Sequence, residues 1–171
     1  MCENEERYPA IAAFGNRGKG SNFFSGVGPL LPTVFRTLEA ANEAQIEKCL
    51  AVGGGKVIDI SVRKGPKCVS VDLRRLLEFD EWTKFALFHN HPSGVAEFSK
   101  EDKDMTMVAA FVANRLNLEL VDHAIYVAGD GCEVVYLREL DAGLFCPNAL
   151  FVRGDERAVS LITEGPKTND V

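Results

Sequence analysis

At 171 residues with 46% apolar side chains, the chain is long enough to bury one core without disulfide or metal staples. Acidic residues outnumber basic ones 25 to 19, for a net charge of −6 and a pI near 5.1, which argues against affinity for a polyanion through bulk charge. The cysteines Cys2, Cys49, Cys68, Cys132 and Cys146 include no C-x-x-C pair, so they make neither a disulfide framework nor a zinc-finger pattern and read as reduced cytosolic thiols.

The opening M-C-E-N-E-E-R is acidic and lacks an apolar h-region, and no apolar run reaches membrane-spanning length, so a cytoplasmic protein is expected. Residues 1–28 read as an irregular N-terminal arm with one short strand about Ala10 to Phe14. Gly15, Gly18 and Gly20 follow no clear strand and open no clear helix, which sets them apart from a phosphate loop. From Pro29 to Asn42, Val34, Phe35, Leu38 and Ala41 fall at helical spacing, and Pro32 suits a first turn. Ile46 to Val52 and Lys56 to Arg63, joined by Gly53-Gly54-Gly55, predict a hairpin closed by Lys64-Gly65-Pro66-Lys67. Residues 68–82 predict a short strand followed by a helical turn or two, with Trp82 serving packing.

Lys84 to His91 predicts a central strand, apolar on both faces before its histidines begin. Ser99 to Asp102 opens a helix on which Met105, Val108, Ala109, Val112 and Leu116 trace one face. Glu119 to Ala128 is the next strand, Gly129-Asp130-Gly131 a turn, and Cys132 to Arg138 its partner. The remainder, 141–171, predicts a C-terminal extension with a hairpin pairing Leu150 to Val152 with Ala158 to Thr163, then a polar tail. One domain, 29–140, thus carries the chemistry.

That chemistry lies in H-N-H-P-S-G-V-A-E-F-S-K-E-D, residues 89–102. His89 and His91 are two apart on a strand, so both imidazoles point to one face, roughly 7 Å apart at the backbone. The following loop contains Pro, Ser and Gly and can bring the helix-borne Asp102 back over them. Two imidazoles and a carboxylate make a three-ligand zinc site with an open fourth position, which implies catalysis. Ser99 and Asp102 also fit a capping box. A zinc hydrolase further needs a carboxylate outside the ligand set to move protons. Glu47, at the head of the hairpin strand, is the candidate, and Glu43 its competitor. His123 shares a strand face with Val121, Ile125 and Val127, which favours a structural or ligand-supporting role.

H-x-H-P followed by S-x-x-D at this spacing resembles the JAMM, or MPN-plus, zinc metalloprotease motif: a distant upstream Glu, then H-x-H, ten residues, and Asp. The H-N-H-P-S-G spelling, with Leu120-Val121-Asp122-His123 after the helix, is most similar to the bacterial RadC-like JAB branch, over roughly residues 29–138. The helix-hairpin-helix region that full RadC proteins carry is not recognisable. The resemblance implies an α/β, cytidine-deaminase-like domain: a mixed curved sheet, the 32–42 helix against one face, the 100–117 helix against the other, and Zn²⁺ at the sheet rim. It implies zinc ligation by His89, His91 and Asp102, general acid–base work by Glu47, and an oxyanion hydrogen bond from Ser99. The activity implied is a deubiquitinase-like isopeptidase whose partner is a ubiquitin-like protein or its conjugates, as in bacterial conjugation or antiviral systems. The alternative is a RadC-like protein of unknown activity associated with DNA.

Overall fold

The computed structural model describes residues 27–64, 69–128 and 133–163. The strand expected about Ala10 to Phe14, the three arm glycines, residues 65–67 of the closing turn, the Gly129-Asp130-Gly131 turn and the polar tail lie outside the described residues.

Helix α1 (Leu31–Glu43) follows a short 3-10 turn, Gly28–Leu30, and takes Pro32 in its first turn, where the missing N–H has no intrahelical partner to lose. Leu31, Val34, Phe35, Leu38 and Ala41 recur at helical spacing and are all buried. Strands β1 (Cys49–Gly53) and β2 (Lys56–Asp59) form the expected hairpin. Its turn takes φ of +53° at Gly54 and +75° at Gly55, left-handed backbone that glycine adopts without a side-chain clash.

The second arm of that hairpin does not run unbroken to Arg63. It is interrupted at Ile60, because Ser61 Oγ accepts the Cys49 N–H at 2.8 Å while the Ile60 carbonyl accepts from the Asp72 N–H, and a side chain that takes a backbone donor withdraws it from the ladder. Beyond the break, β3 (Ser61–Lys64) pairs with β4 (Val69–Val71) in a separate two-stranded sheet. A 3-10 turn, Leu73–Glu78, follows with Asp72 as its cap. Trp82 does not pack in the core: it is 76% exposed, in a turn with φ +68° where its N–H donates to the Asn117 carbonyl at 2.7 Å.

The main sheet adds β5 (Lys84–Asn90), β6 (Glu119–Val127) and β7 (Glu133–Tyr136), in the order β2-β1-β5-β6-β7. Only β5 and β6 run parallel. A parallel pair cannot be closed by a hairpin, so the chain crosses over between them through α2 (Lys100–Arg115). Each face of this mixed sheet carries one of the two expected helices. On one side Val34, Phe35 and Leu38 of α1 pack on Leu50, Val52, Ala86, Phe88 and Tyr126, with Phe35 stacked on Tyr126 at 5.6 Å between ring centroids. On the other, Met107, Ala109, Ala110 and Ala113 of α2 meet Cys49, Ala51, Phe85, Leu87 and Ile125.

Two expectations are corrected on the α2 side. The deepest stripe of the helix is Asp102, Thr106, Met107, Ala109, Ala110 and Ala113, of which the predicted face holds only Ala109. Small residues let the helix approach the sheet closely, and the larger Met105, Val108 and Val112 take the flank, half-buried. That flank exists because the C-terminal extension is helical. In place of the expected hairpin, α3 (Leu137–Leu140) packs on β6, and a 3-10 turn at Ala142–Phe145, α4 (Ala149–Arg153) and α5 (Glu156–Thr163) fold back on α2. Leu150 and Ala158 enter the same core, and Phe151 meets Phe111 edge-on at 5.3 Å. The Leu-Phe-Val run that reads as a strand lies in a helix, with Leu150 buried and Val152 80% exposed, once a partner helix offers it cover.

Candidate metal centre

Alternation along β5 sorts the two sides of the site. Phe85 and Leu87 face α2, so His89 does too. Asn90 faces α1, where its amide meets Asn42. Strand β1 lies beside β5 with Cys49 opposite His89, and the Asn90 N–H donating to the Lys48 carbonyl at 3.3 Å carries the pairing one step further. The next pair in that register is Glu47 with His91. Asp102 arrives from the first turn of α2, which starts after the loop that leaves β5.

The result is a cluster of Glu47, His89, His91 and Asp102 whose donor atoms all lie within 4.8 Å of one another. His89 Nε2 is 2.8 Å from His91 Nε2 and 3.3 Å from Asp102 Oδ1, and His91 Nε2 is 3.5 Å from Asp102 Oδ2. Glu47 Oε1 stands further out, 3.9 Å from His91 Nε2. Ligand atoms about 2.0–2.2 Å from a tetrahedral ion are roughly 3.3–3.6 Å apart, so the separations of Asp102 from the two imidazoles fit a metal. The two Nε2 atoms, 2.8 Å apart, must part by about 0.5 Å to complete the set. Glu43, the competitor for Glu47, is exposed at the end of α1 and lies outside the cluster.

Ser99 and Asp102 form the capping box expected of them. Ser99 Oγ accepts the Asp102 N–H at 3.1 Å, and Asp102 Oδ2 accepts the Ser99 N–H at 2.8 Å and its hydroxyl at 2.7 Å. Cap and cluster membership are not alternatives for Asp102, since the same carboxylate serves both. The Ser99 hydroxyl hydrogen is committed to Asp102 in this arrangement.

The electrostatics follow from burial and these contacts. Burial alone would raise the Asp102 carboxyl, but hydrogen bonds with His89, His91 and Ser99 outweigh it and hold the group well below the usual carboxylate range. Burial would lower His91, yet its bonds to Asp102 and the Val95 carbonyl raise it. Glu47 is pushed up by burial, partly opposed by His89 and His91, which moves it toward the range useful for carrying protons. Cys49 is fully buried and its thiol is pushed far up, first by burial and then by the carboxylates around it, so it stays protonated and takes no part in the cluster.

Asn90 and Thr106 belong to the site without having been singled out in the sequence. Asn90 Oδ1 accepts the Lys48 N–H at 2.8 Å, while its amide nitrogen donates to the Ile46 carbonyl at 2.8 Å and to Asn42 Oδ1 at 2.7 Å. It therefore grips the backbone on both sides of Glu47. The available signal was its parity: a polar residue between two histidines of one face must point to the other face, which is apolar. Asn90→Ala is expected to cost about 3 kcal/mol of stability, since each buried group left without a partner costs on the order of 1–3 kcal/mol. Denaturant unfolding of the metal-free protein measures this, and a loss under about 1 kcal/mol would mean water takes over the amide's role.

Together these features describe an α/β domain with a candidate metal centre at the end of its parallel strand pair. The RadC-like JAB domain family matches residues 45–139, more than half of the chain, and the chain belongs to that family. No curated protein matches it.

Proposed function

We propose that this protein is a zinc-dependent isopeptidase or peptidase that releases a ubiquitin-like modifier from conjugates or precursors, within a bacterial ubiquitin-like conjugation or antiviral defence system. The observation that carries the reading is the position of Glu47: a buried carboxylate beside, but further from His91 than, the carboxylate that completes the ligand set. His89, His91 and Asp102 would hold the ion. When bound, zinc supplies a Lewis acid that polarises a carbonyl and makes water more acidic.

Glu47 takes the proton from the attacking water as its oxygen bonds to the carbonyl carbon. It then delivers that proton to the amine nitrogen as the C–N bond breaks. Ser99 turns its hydroxyl about the Cβ–Oγ bond from Asp102 Oδ2 toward the developing oxyanion. Asn90 keeps Glu47 in register with His91 throughout.

Elemental analysis of purified protein should find one zinc per chain, and mass spectrometry should find a ubiquitin-like fusion, taken from the same gene neighbourhood, cut at the modifier's C-terminus. Chelation should stop the cleavage. Protein that neither holds nor takes up zinc ends the reading. Zinc-loaded protein that cuts no such fusion, yet shifts branched or duplex DNA in a salt-sensitive way, would support the DNA-associated alternative.

A further inference from the structure

Behind His89 runs a buried chain of hydrogen bonds that the ligand set does not require by itself. His123 on β6 is fully buried and sits in register with Leu87 of β5. Its Nε2 is 2.8 Å from His89 Nδ1, and its Nδ1 is 2.7 Å from Thr106 Oγ1. Thr106 Oγ1 in turn donates to the main-chain carbonyl of Asp102 at 2.7 Å.

The last member of the chain sets its direction. A carbonyl oxygen only accepts, so the single hydroxyl hydrogen of Thr106 is used there and its oxygen must accept from His123 Nδ1–H. An imidazolium with no charged partner is costly at a fully buried position, so His123 carries one proton and its Nε2 is bare. That bare nitrogen accepts from His89 Nδ1–H. Once an ion takes the place of the hydrogen between Nε2 and Asp102, His89 offers it the lone pair on Nε2, the atom that faces His91 and Asp102. Phe98 lies against both rings, with centroids 6.0 Å from His89 and 5.2 Å from His123, which keeps water from competing for these nitrogens. His91 reaches the same state by a shorter route, donating from Nδ1 to the Val95 carbonyl at 2.8 Å.

We propose that Thr106 and His123 are positioning residues that lock His89 in the tautomer whose Nε2 lone pair faces the metal centre. Asp102 closes the chain on itself, with its side chain in the ligand set and its carbonyl ending the relay that orients His89. This inference rests on the metal-binding reading above and adds two residues to it, one on each of the elements that flank the site.

The test uses the full chain without substrate. Two-bond ¹H–¹⁵N correlation spectra of the zinc-loaded protein should find His89 protonated on Nδ1, with Nε2 left to the ion. Zinc affinity, measured by competition with a chromophoric chelator, should fall about 10–100-fold in His123→Leu and less in Thr106→Val. His123→Gln should recover most of the loss, because its side-chain oxygen can accept from His89 Nδ1–H. A wild-type His89 that carries no proton on Nδ1 in the zinc-loaded protein overturns the proposal, as do folded Leu and Val variants whose affinity stays within about threefold of wild type. Should either variant fail to fold, the wild-type tautomer decides. Wild-type protein that binds no zinc sinks the metal reading, whereas normal wild-type binding with unaffected variants sinks the relay alone.

Discussion

Glu47→Gln is expected to lower the rate of cleavage by about 10²–10⁴-fold while zinc content stays at the wild-type level. The amide has the size of the carboxylate but cannot accept a proton at neutral pH, so both proton transfers lose their carrier. Glu47 is the outlying member of the cluster, 3.9 Å from His91 Nε2, and the three closer groups keep the ion without it. Replacing a buried carboxylate whose charged form is disfavoured by burial with a neutral amide should leave the fold intact. Single-turnover kinetics beside elemental analysis separates the outcomes. Retained activity would remove Glu47 from the reaction, and lost zinc would make it a ligand.

Asp102→Asn should weaken zinc binding by more than the 10–100-fold typical of supporting residues, because it removes the anionic ligand itself, and yet leave the start of α2 in place. The asparagine side-chain oxygen can still accept the Ser99 N–H that Asp102 Oδ2 accepts at 2.8 Å. Asp102→Ala removes the ligand together with the carboxylate half of the capping box, while Ser99 Oγ still accepts the main-chain N–H of residue 102, and should cost a further amount on the order of 1 kcal/mol in the metal-free state. Chelator competition reads the first effect and denaturant unfolding the second. Equal unfolding of the two variants would mean the side-chain half of the capping box contributes nothing, and wild-type zinc affinity in Asp102→Asn would remove Asp102 from the ligand set.

Much of this site was readable because its spacing is local. His89 and His91 share a face through strand alternation alone, and Ser99 to Asp102 marks a helix start by a pattern four residues long. The same locality explains the failures. Leu150 to Val152 has a strand's composition and becomes part of α4, because Phe111 and the rest of α2 offer it a surface. Met105, Val108 and Val112 satisfy a helical period, but which side of α2 lies deepest depends on Ala109, Ala110 and Ala113 fitting closely against the sheet.

Glu47 and Glu43 mark the boundary between the two kinds of information. Both precede the same strand, and composition does not choose between them. The choice falls to the β1–β5 register, which sets Cys49 opposite His89 and so brings Glu47 to His91, while Glu43 ends α1 in solvent. His123 was recognisable as an apolar-face histidine, but its bond to His89 joins residues 34 apart in the chain and exists only because β5 and β6 pair in parallel. Residue types and short-range periods specify what each segment can present. Which groups meet is settled by strand register and helix packing, since those contacts join segments whose separation along the chain carries no readable period.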